Sequence, residues 1–365
     1  MFMSCIPPTS HPKMNSTMLP LDNITANSSL CTVEPQHISI TVFLLLVFLV
    51  GFLLNSFSLW VFCCRIPQWS SGAVLQFNLA VSDAIITPVA PFMATYFVMG
   101  SHWPFGAFLC KLKIALLFIH FYGSILFLTL ISIHRYVAVV RFKQGSCMKR
   151  KAFVQKLCAG VWLVLLAKGI ACFYFFTTSQ VGNRTLCLSI HQRDYIETYF
   201  AINFVLLTLG FLMPFSVAVT CYVQIARSVS RININTFKGR GIKAKSRKVV
   251  AMCLVIFGLC FMPLNVIRTG AVVLKKYFPE QCILLQVETL YYYSWVLAGA
   301  NCCLDPLLYC FGSHNFVKAI HRSLRKCDVK FKEDPATNYQ ISYDAAIDSP
   351  SIVLEHKETM STPSI

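Results

Sequence analysis

Hydrophobic residues in this chain occur in long unbroken runs, not in the one-sided stripes that mark the helices of soluble proteins. A helix needs about 20 residues to cross the hydrocarbon core of a bilayer. The pattern therefore predicts an all-α membrane protein built as a bundle of seven transmembrane helices. The predicted helices span residues 38–64, about 73–99, about 107–140, about 153–176, about 199–226, about 249–274 and about 284–311.

Composition agrees with this prediction. Of the 365 residues, 56% are hydrophobic and only 13% are charged, and the mean hydropathy is +0.61. Soluble domains carry about a quarter charged residues. These values exclude a disordered, collagen-like or coiled-coil protein. The net charge of +17 fits either a nucleic-acid-binding protein or a membrane protein with basic cytosolic segments.

The positions of the basic residues decide between these two classes. The segments after the third and fifth predicted helices contain Lys and Arg but no Asp or Glu, and the segment after the seventh adds more bases. Basic segments of this kind stay in the cytosol. We therefore predict a multi-pass protein of the plasma membrane, with an extracellular amino terminus, a cytoplasmic carboxyl terminus and no binding of nucleic acid.

Glycosylation motifs indicate the same orientation. Asn-X-Ser/Thr sequences, which accept N-linked glycans outside the cell, occur at Asn15, Asn23, Asn27 and Asn183. All four lie on segments that a seven-helix topology places on one side. The predicted organisation is an extracellular glycosylated segment (1–37), a membrane domain (38–311), an amphipathic juxtamembrane helix (312–327) and a disordered cytoplasmic tail (328–365).

Five cysteines fall on the same predicted outer side. Cys5, near the amino terminus, is left unassigned, and the other four are Cys31, Cys110, Cys187 and Cys282. Extracellular thiols are expected to oxidise, but four cysteines can pair in three ways. The residues alone do not choose among these pairings, and free thiols are the alternative.

Two carboxylates lie inside predicted helices, where an ionisable residue is costly and usually has a function. Asp83 and Asp305, with Asn55 in the first helix, are candidates for a shared interior site. Carboxylate oxygens suit a hard cation such as sodium. The alternative is a hydrogen-bonded network that only fixes helix packing, and the two roles are compatible.

An ordered set of motifs resembles the class A (rhodopsin-like) G-protein-coupled receptors. Each motif is weak alone, but the ordered set is specific and covers about residues 38–326. The set is Asn55, Leu79-Ala-Val-Ser-Asp83, Cys110, His134-Arg135-Tyr136, Trp162, Pro214 with Tyr222, Cys260-Phe-Met-Pro263 and Asp305-Pro-Leu-Leu-Tyr309.

Two further features resemble the nucleotide (purinergic-like) branch of this family. One is His-Arg-Tyr in place of the commoner Asp-Arg-Tyr, and the other is the segment 122–129 together with the four outer cysteines. The resemblance implies a receptor for nucleotides, dicarboxylates, lysophospholipids or leukotrienes, which are the ligands of that branch.

The resemblance also implies structural bonds and lipid attachment. It pairs Cys110 with Cys187 and Cys31 with Cys282 in two disulfides. It implies that Cys327, after the amphipathic eighth helix, carries palmitate. An ordinary cytosolic thiol is the alternative for this cysteine.

Roles in activation follow from the same resemblance. Arg135, taken alone, would indicate only a helix end reaching the lipid headgroups, but with Tyr136 it stands where the family contacts its G protein. Tyr222 and Tyr309 would stabilise the open state, and Phe261 would be the rotamer pivot below the ligand. Asp83 and Asp305 would line an allosteric sodium site, and no other cofactor is implied.

The implied partners are an extracellular small molecule, a heterotrimeric G protein and membrane lipids, with an arrestin and a receptor kinase acting on the tail. The ligand region departs from the branch in two places. The sixth helix carries Asn265-Val-Ile-Arg268 where the branch has His-x-x-Arg/Lys, so the base is kept and the His is lost. Trp295 stands where many members carry an Arg. The loss of this Arg disfavours a triphosphate-like ligand.

Bases near an aromatic cavity favour a small anion with an apolar part, such as a lipid acid or a lysophospholipid, because Arg pairs with carboxylate and phosphate. A carboxylate metabolite and a nucleotide are the other candidates. Alternatively, the bases extend to the lipid headgroups. The predicted ligand contacts are Arg268, Lys168, Asn265, Tyr122, Phe118, Trp295, Tyr292 and Lys113, with Lys275, Lys276, Tyr96 and Tyr291 nearby.

Other classes of membrane protein fit the sequence less well. A transporter is expected to contain internal repeats, a channel a selectivity segment and an enzyme a catalytic constellation, and the sequence displays none of these. We therefore predict a receptor and not an enzyme. The alternatives are a seven-helix transporter and a receptor that acts without a small-molecule ligand.

Overall fold

The computed structural model describes residues 37–140, 147–175, 178–181, 184–187, 196–230, 237–278 and 283–325. Within these ranges the chain forms α-helices and one β-hairpin. The helices are α1 (His37–Cys64), α2 (Ser71–Ala84), α3 (Ala90–Val98), α4 (Gly106–Val139), α5 (Lys151–Phe175), α6 (Ile196–Leu207), α7 (Met213–Ser230), α8 (Phe237–Ile256), α9 (Met262–Tyr277), α10 (Ile283–Gly299), α11 (Asn301–Gly312) and α12 (His314–Arg325), and the strands are β1 (Thr178–Val181) and β2 (Arg184–Cys187).

Seven stretches of helix in the described residues are long and apolar enough to cross a membrane, which confirms the predicted bundle. The bounds of span 6 differ most from their prediction. Helix α8 begins within the basic segment, several residues before the apolar run. The stretches, called spans 1 to 7 below, are Ile38–Cys64, Ser71–Val98, Gly106–Val139, Lys151–Tyr174, Tyr199–Ser228, Ala244–Tyr277 and Gln286–Gly312.

Four spans contain both an interruption and a proline, which lacks the N–H that a regular helix needs. Span 7 is divided at Ala300, between α10 and α11, and contains Pro306. Span 2 passes through a 3₁₀ turn at Thr87–Val89, between α2 and α3. Spans 5 and 6 each contain one π-turn, at Thr208–Leu212 and Phe257–Phe261, shortly before Pro214 and Pro263. Such turns change the direction of side chains locally and are frequent at functional sites.

Span 3 lies at the centre of the bundle and packs against spans 2, 4, 5 and 6. Spans 4 and 5 expose more of their surface, including Leu163, Val164 and Leu209. A lipid-facing surface accounts for these exposed apolar residues, since hydrocarbon tails are as apolar as leucine.

The β-hairpin is absent from the all-α prediction. Its two strands pair antiparallel, from Thr178 opposite Cys187 to Val181 opposite Arg184. Cys187 forms a disulfide with Cys110 at the start of span 3, and the carbonyl of Thr185 accepts a hydrogen bond from the Trp103 backbone at 2.8 Å. Below, this end of the bundle is called the hairpin end and the opposite end, where α12 follows span 7, the α12 end.

Helix α12 lies within the predicted amphipathic segment and is fixed to the bundle by aromatic packing. The ring of Phe316 lies 5.0 Å from that of Phe62 and 5.7 Å from that of Tyr309. Several predictions concern residues outside the described ranges. They are the sequons at Asn15, Asn23, Asn27 and Asn183, the Cys31–Cys282 disulfide, the palmitoylated Cys327, and the terminal segments 1–36 and 328–365.

Candidate functional site

A cavity lies between spans 3, 5, 6 and 7. Its wall is largely aromatic, and the predicted activation pivot Phe261 forms part of it. Five of the eight predicted ligand contacts line this cavity: Phe118, Tyr122, Asn265, Arg268 and Trp295. The sequence interpretation did not select Leu117, Phe121, Ile125, Tyr199 or Leu264, which also line it.

Arg268 is buried in this wall, and its guanidinium is held by neutral groups. Nε donates to Asn203 Oδ1 at 2.9 Å, Nη2 donates to Asn265 Oδ1 at 2.9 Å, and Nη1 donates to the Tyr122 hydroxyl at 3.3 Å. Among the described residues, no carboxylate forms an ion pair with Arg268. A buried cation without a counter-charge attracts an anion strongly. Asn203 was missed because an amide in span 5 carries no charge to draw attention to it.

Tyr122 connects Arg268 to a second base. The ammonium of Lys168 lies 3.3 Å from the centroid of the Tyr122 ring, which is cation–π geometry. Phe118 stacks on the same ring at 5.9 Å. On the span 5 side there is no room for a side chain, since a Cβ at Gly210 would lie 2.5 Å from the ring. The Tyr122 ring is therefore fixed between two bases, although Lys168 itself does not line the cavity.

Two predicted ligand contacts lie elsewhere. Lys113 is buried, donates to the Cys187 carbonyl at 3.2 Å and lies over the Trp103 ring at 4.6 Å, so it supports the hairpin. Tyr292 donates its hydroxyl to Glu288 Oε1 at 2.9 Å, and its ring faces a separate apolar cavity.

At the hairpin end, one of the nearby bases has an acidic partner. Lys276, near the end of span 6, forms an ion pair with Glu197 of α6 at 2.7 Å. The Glu197 carboxylate is exposed. This pair connects spans 5 and 6 and leaves Arg268 as the base at the cavity itself.

A polar cluster lies deeper in the bundle, around the two intramembrane carboxylates. Asn301 donates to Asp305 Oδ2 at 2.9 Å and to Asp83 Oδ1 at 3.4 Å, and Ser124 donates to Asp83 Oδ1 at 3.0 Å. Three acceptor oxygens in the cluster, Asp83 Oδ2, Asp305 Oδ1 and Asn301 Oδ1, are buried and accept no hydrogen bond from any residue that the structure describes. Several acceptors without donors fit a small hard cation.

His120 is a member of this cluster that the sequence interpretation missed. Its Nδ1 lies 3.1 Å from the Ser82 carbonyl and 3.7 Å from Asp83 Oδ1. An ionisable residue inside a span was the available signal. Asn55, by contrast, donates to the carbonyls of Gly51 and Cys302, at 3.0 and 2.7 Å. Its amide therefore connects span 1 to span 7 through backbone carbonyls, not through the carboxylates.

At the α12 end, the predicted coupling residues make contacts within the bundle. Arg135 Nη2 donates to the Gly312 carbonyl, which joins span 3 to the end of span 7. Tyr309 is fully buried, 5.5 Å from the ring of Phe62. Tyr136 and Tyr222 pack together against a small apolar cluster of spans 3, 5 and 6.

The cavity and the helix interruption in span 6 are connected through Asn265. This residue accepts from Arg268 and donates its Nδ2 to the Phe261 carbonyl at 2.8 Å. Because Phe261 ends the π-turn of span 6, a movement of Arg268 has a short hydrogen-bonded route to that turn.

The chain is similar in sequence to a known family of receptors and to several of its members. A family model described as 7 transmembrane receptor (rhodopsin family) matches residues 54–309. The chain is 36% identical to purinoceptor 2 of Mus musculus over 279 residues, 74% of this chain and 73% of that protein. It is 31% identical to purinoceptor 4 of Rattus norvegicus over 318 residues, 86% of this chain and 84% of that protein. It is 29% identical to lysophosphatidic acid receptor 6 of Mus musculus over 306 residues, 82% of this chain and 88% of that protein.

Proposed function

The chain belongs to the rhodopsin family of seven-transmembrane, G-protein-coupled receptors, and from this premise we propose that it is activated by an extracellular anionic ligand that binds at Arg268. It is a receptor in the purinergic-like branch and not an enzyme. The observation that carries the ligand proposal is the buried guanidinium of Arg268, which has three neutral partners in an aromatic cavity.

The chemistry of the cavity favours an anion with an apolar part. Arg binds carboxylate and phosphate through parallel N–H groups, and rings such as those of Phe118 and Trp295 favour hydrocarbon or flat apolar groups. One relative is named as a lysophosphatidic acid receptor, and that compound is an anion with a hydrocarbon chain. The purinoceptor relatives keep nucleotides among the candidates.

The orientation that we propose places the hairpin end outside the cell and the α12 end in the cytosol. The basic segments after spans 3 and 5 and the four sequons support it. With this orientation, Arg268 lies in the outer half of span 6, nine residues before its end at Tyr277, where a ligand from outside can reach it.

Coupling to the G protein is proposed to begin at the Arg135–Gly312 hydrogen bond. A ligand that moves Arg268 also moves Asn265 and the π-turn of span 6. Opening of the α12 end then releases Arg135 and Tyr136 for the G protein, while Tyr222 and Tyr309 stabilise the open arrangement. On the family resemblance alone, the tail would bind an arrestin and a receptor kinase, and Cys327 would carry palmitate.

A sodium ion is proposed as an allosteric ligand of the polar cluster. The unpartnered oxygens of Asp83, Asp305 and Asn301 are of the hard type that sodium takes, and the ion would supply the positive charge that the two carboxylates lack. No other cofactor is proposed.

The proposal is tested with the purified receptor in bilayer discs and a purified heterotrimeric G protein. Nucleotide exchange is measured with a panel of nucleoside phosphates, dicarboxylates, fatty acids and lysophospholipids. We expect at least one anion to accelerate exchange, and we expect Arg135→Ala to abolish this acceleration while ligand binding persists. Exchange that responds to no anion would overturn the ligand proposal, and ligand uptake without exchange would support the transporter alternative.

A further inference from the structure

A second, narrow cavity lies between spans 1, 2, 3 and 7. Its wall includes Leu44 and Phe48 of span 1, Met93 and Phe97 of span 2, and Val296 of span 7. These five side chains are all buried, so the cavity is inside the bundle and is not a groove on its lipid-facing surface.

The wall of this cavity offers almost nothing to a polar ligand. Apart from Tyr292 and Trp295, the lining side chains are hydrocarbon or thioether. The Tyr292 hydroxyl is already bound to Glu288 and lies 3.4 Å from the Tyr96 hydroxyl. A sugar or a nucleobase placed here would lose its hydrogen bonds to water without replacing them, which is unfavourable.

The two cavities share part of their walls. Leu117, Phe121 and Trp295 line both of them. The rings of Phe121 and Trp295 meet edge to face, with centroids 5.7 Å apart. These two rings therefore form part of the partition, and their rotation would join a cavity that holds Arg268 to one that is almost entirely apolar.

We propose that the second cavity receives the hydrocarbon chain of the ligand whose anionic head binds Arg268. The inference rests on the proposed function and narrows the class of ligand to single-chain anionic lipids. A carboxylate and a phosphate head are equivalent in this respect, since Arg binds both. Burial of each methylene group contributes about 0.8 kcal/mol, which is about a four-fold gain in affinity.

The test uses two homologous series, free fatty acids and 1-acyl-glycerol 3-phosphates, whose chains lengthen by two methylene groups at a time. Potency in the exchange assay is measured for the wild type, for Val296→Phe, which fills the second cavity, and for Leu297→Phe. Leu297 is the neighbouring residue and is 42% exposed, so the control places the same ring on the lipid-facing side.

We expect potency to rise with chain length in the wild type and in Leu297→Phe, in whichever series has the preferred head. Val296→Phe should flatten this rise, lowering the potency of long-chain homologues at least ten-fold while short-chain homologues are unaffected. The retained short-chain response shows that the variant folds. Because each homologue is compared between variants, its partition into the membrane cancels.

If a lipid series activates the receptor, three outcomes would overturn the inference. Potency could be independent of chain length, both phenylalanine variants could behave alike, or Val296→Phe could weaken short and long chains equally. If a nucleoside phosphate activates the receptor and neither lipid series does, the second-cavity inference fails while anion binding at Arg268 stands. If no anion activates it, the proposed function fails first. A Val296→Phe receptor that does not reach the membrane is replaced by Val296→Leu, for which the same flattening is expected at smaller amplitude.

Discussion

The bundle buries charge of opposite sign at two depths, and the two regions satisfy that charge differently. Each of the three guanidinium nitrogens of Arg268 donates one hydrogen bond to a neutral group, although no described carboxylate pairs with its charge. Asp83 and Asp305 are two acidic groups in one cluster, and each has an oxygen for which the described residues supply no donor. The first region can persist unliganded until an anion arrives, whereas the second needs a cation or a proton. The difference predicts two sites that respond to different ligands and can be disabled separately.

The largest expected effect comes from Arg268→Ala. Removing the buried base should weaken anionic agonist binding by about 2–5 kcal/mol, which corresponds to about thirty-fold or more in affinity. Competition binding on membranes measures it at constant sodium. The response to sodium should persist, because the polar cluster is untouched.

Lys276→Ala is the matched control for this substitution. It also removes one positive charge near the hairpin end, but its ion pair with Glu197 is at the surface, where such pairs contribute little. An equal loss of agonist affinity in both variants would mean that nonspecific electrostatic attraction at the hairpin end, and not a specific contact in the cavity, binds the anion. Unchanged agonist affinity in Arg268→Ala at normal surface expression would reject the site.

The next effect in size concerns the acidic region. An ion present at ten times its Kd stabilises the folded state by about 1.4 kcal/mol. Sodium chloride should therefore raise the thermal unfolding temperature of the wild type above its value in choline chloride of equal ionic strength, and Asp83→Asn should remove this increase. Agonist affinity measured without sodium should be nearly unchanged.

Ser58→Ala serves as the control for that measurement. It also removes a buried intramembrane polar group, but one whose hydroxyl donates to the Leu54 carbonyl at 2.8 Å. We expect lower stability with the sodium increment retained. Equal sodium increments in the wild type and Asp83→Asn would count against a cation at the carboxylates.

Hydropathy and motif order predicted the seven spans, because bilayer thickness sets the length of an apolar run. The same reasoning missed the hairpin, whose four-residue strands are too short for a clear alternation of apolar and polar positions. It also began the helix of span 6 too late, since α8 begins at Phe237 and passes through basic residues before the apolar run. A membrane pattern reports where the hydrocarbon begins and does not report where the helix begins.

Depth along a helix was easier to predict than the direction of a side chain. Lys113 was assigned to the ligand with Phe118, yet five residues of α-helix correspond to a rotation of about 140°. Phe118 accordingly faces the cavity, while Lys113 faces Trp103 and the hairpin. His120 was not predicted, because only carboxylates and strong bases were taken as candidates. An imidazole inside a span is also an ionisable group and indicates a function equally well.

The smallest expected effect tests most directly how the charge of Arg268 is satisfied, because it concerns the neutral partners of that residue. Tyr122→Phe removes the hydroxyl that accepts from Nη1 at 3.3 Å but keeps the ring beside Lys168. In the unliganded receptor Nη1 then loses the one partner that the described residues give it, and an anion can bind this nitrogen without displacing the phenol. Anion affinity should therefore rise by about 0.5–1.5 kcal/mol, the net contribution of one hydrogen bond.

Equilibrium binding of the same anion to Tyr122→Phe, Arg268→Ala and the double variant checks this expectation. The gain should vanish in the Arg268→Ala background, since this nitrogen no longer exists there. Weaker binding by Tyr122→Phe would show that the ligand contacts the hydroxyl directly, so that the phenol belongs to the ligand and does not compete with it. A gain that persists without Arg268 would mean that Tyr122 acts through Lys168 or the Phe118 stack. In that case the neutral hydrogen-bond partners of Arg268 would not determine how strongly it binds an anion.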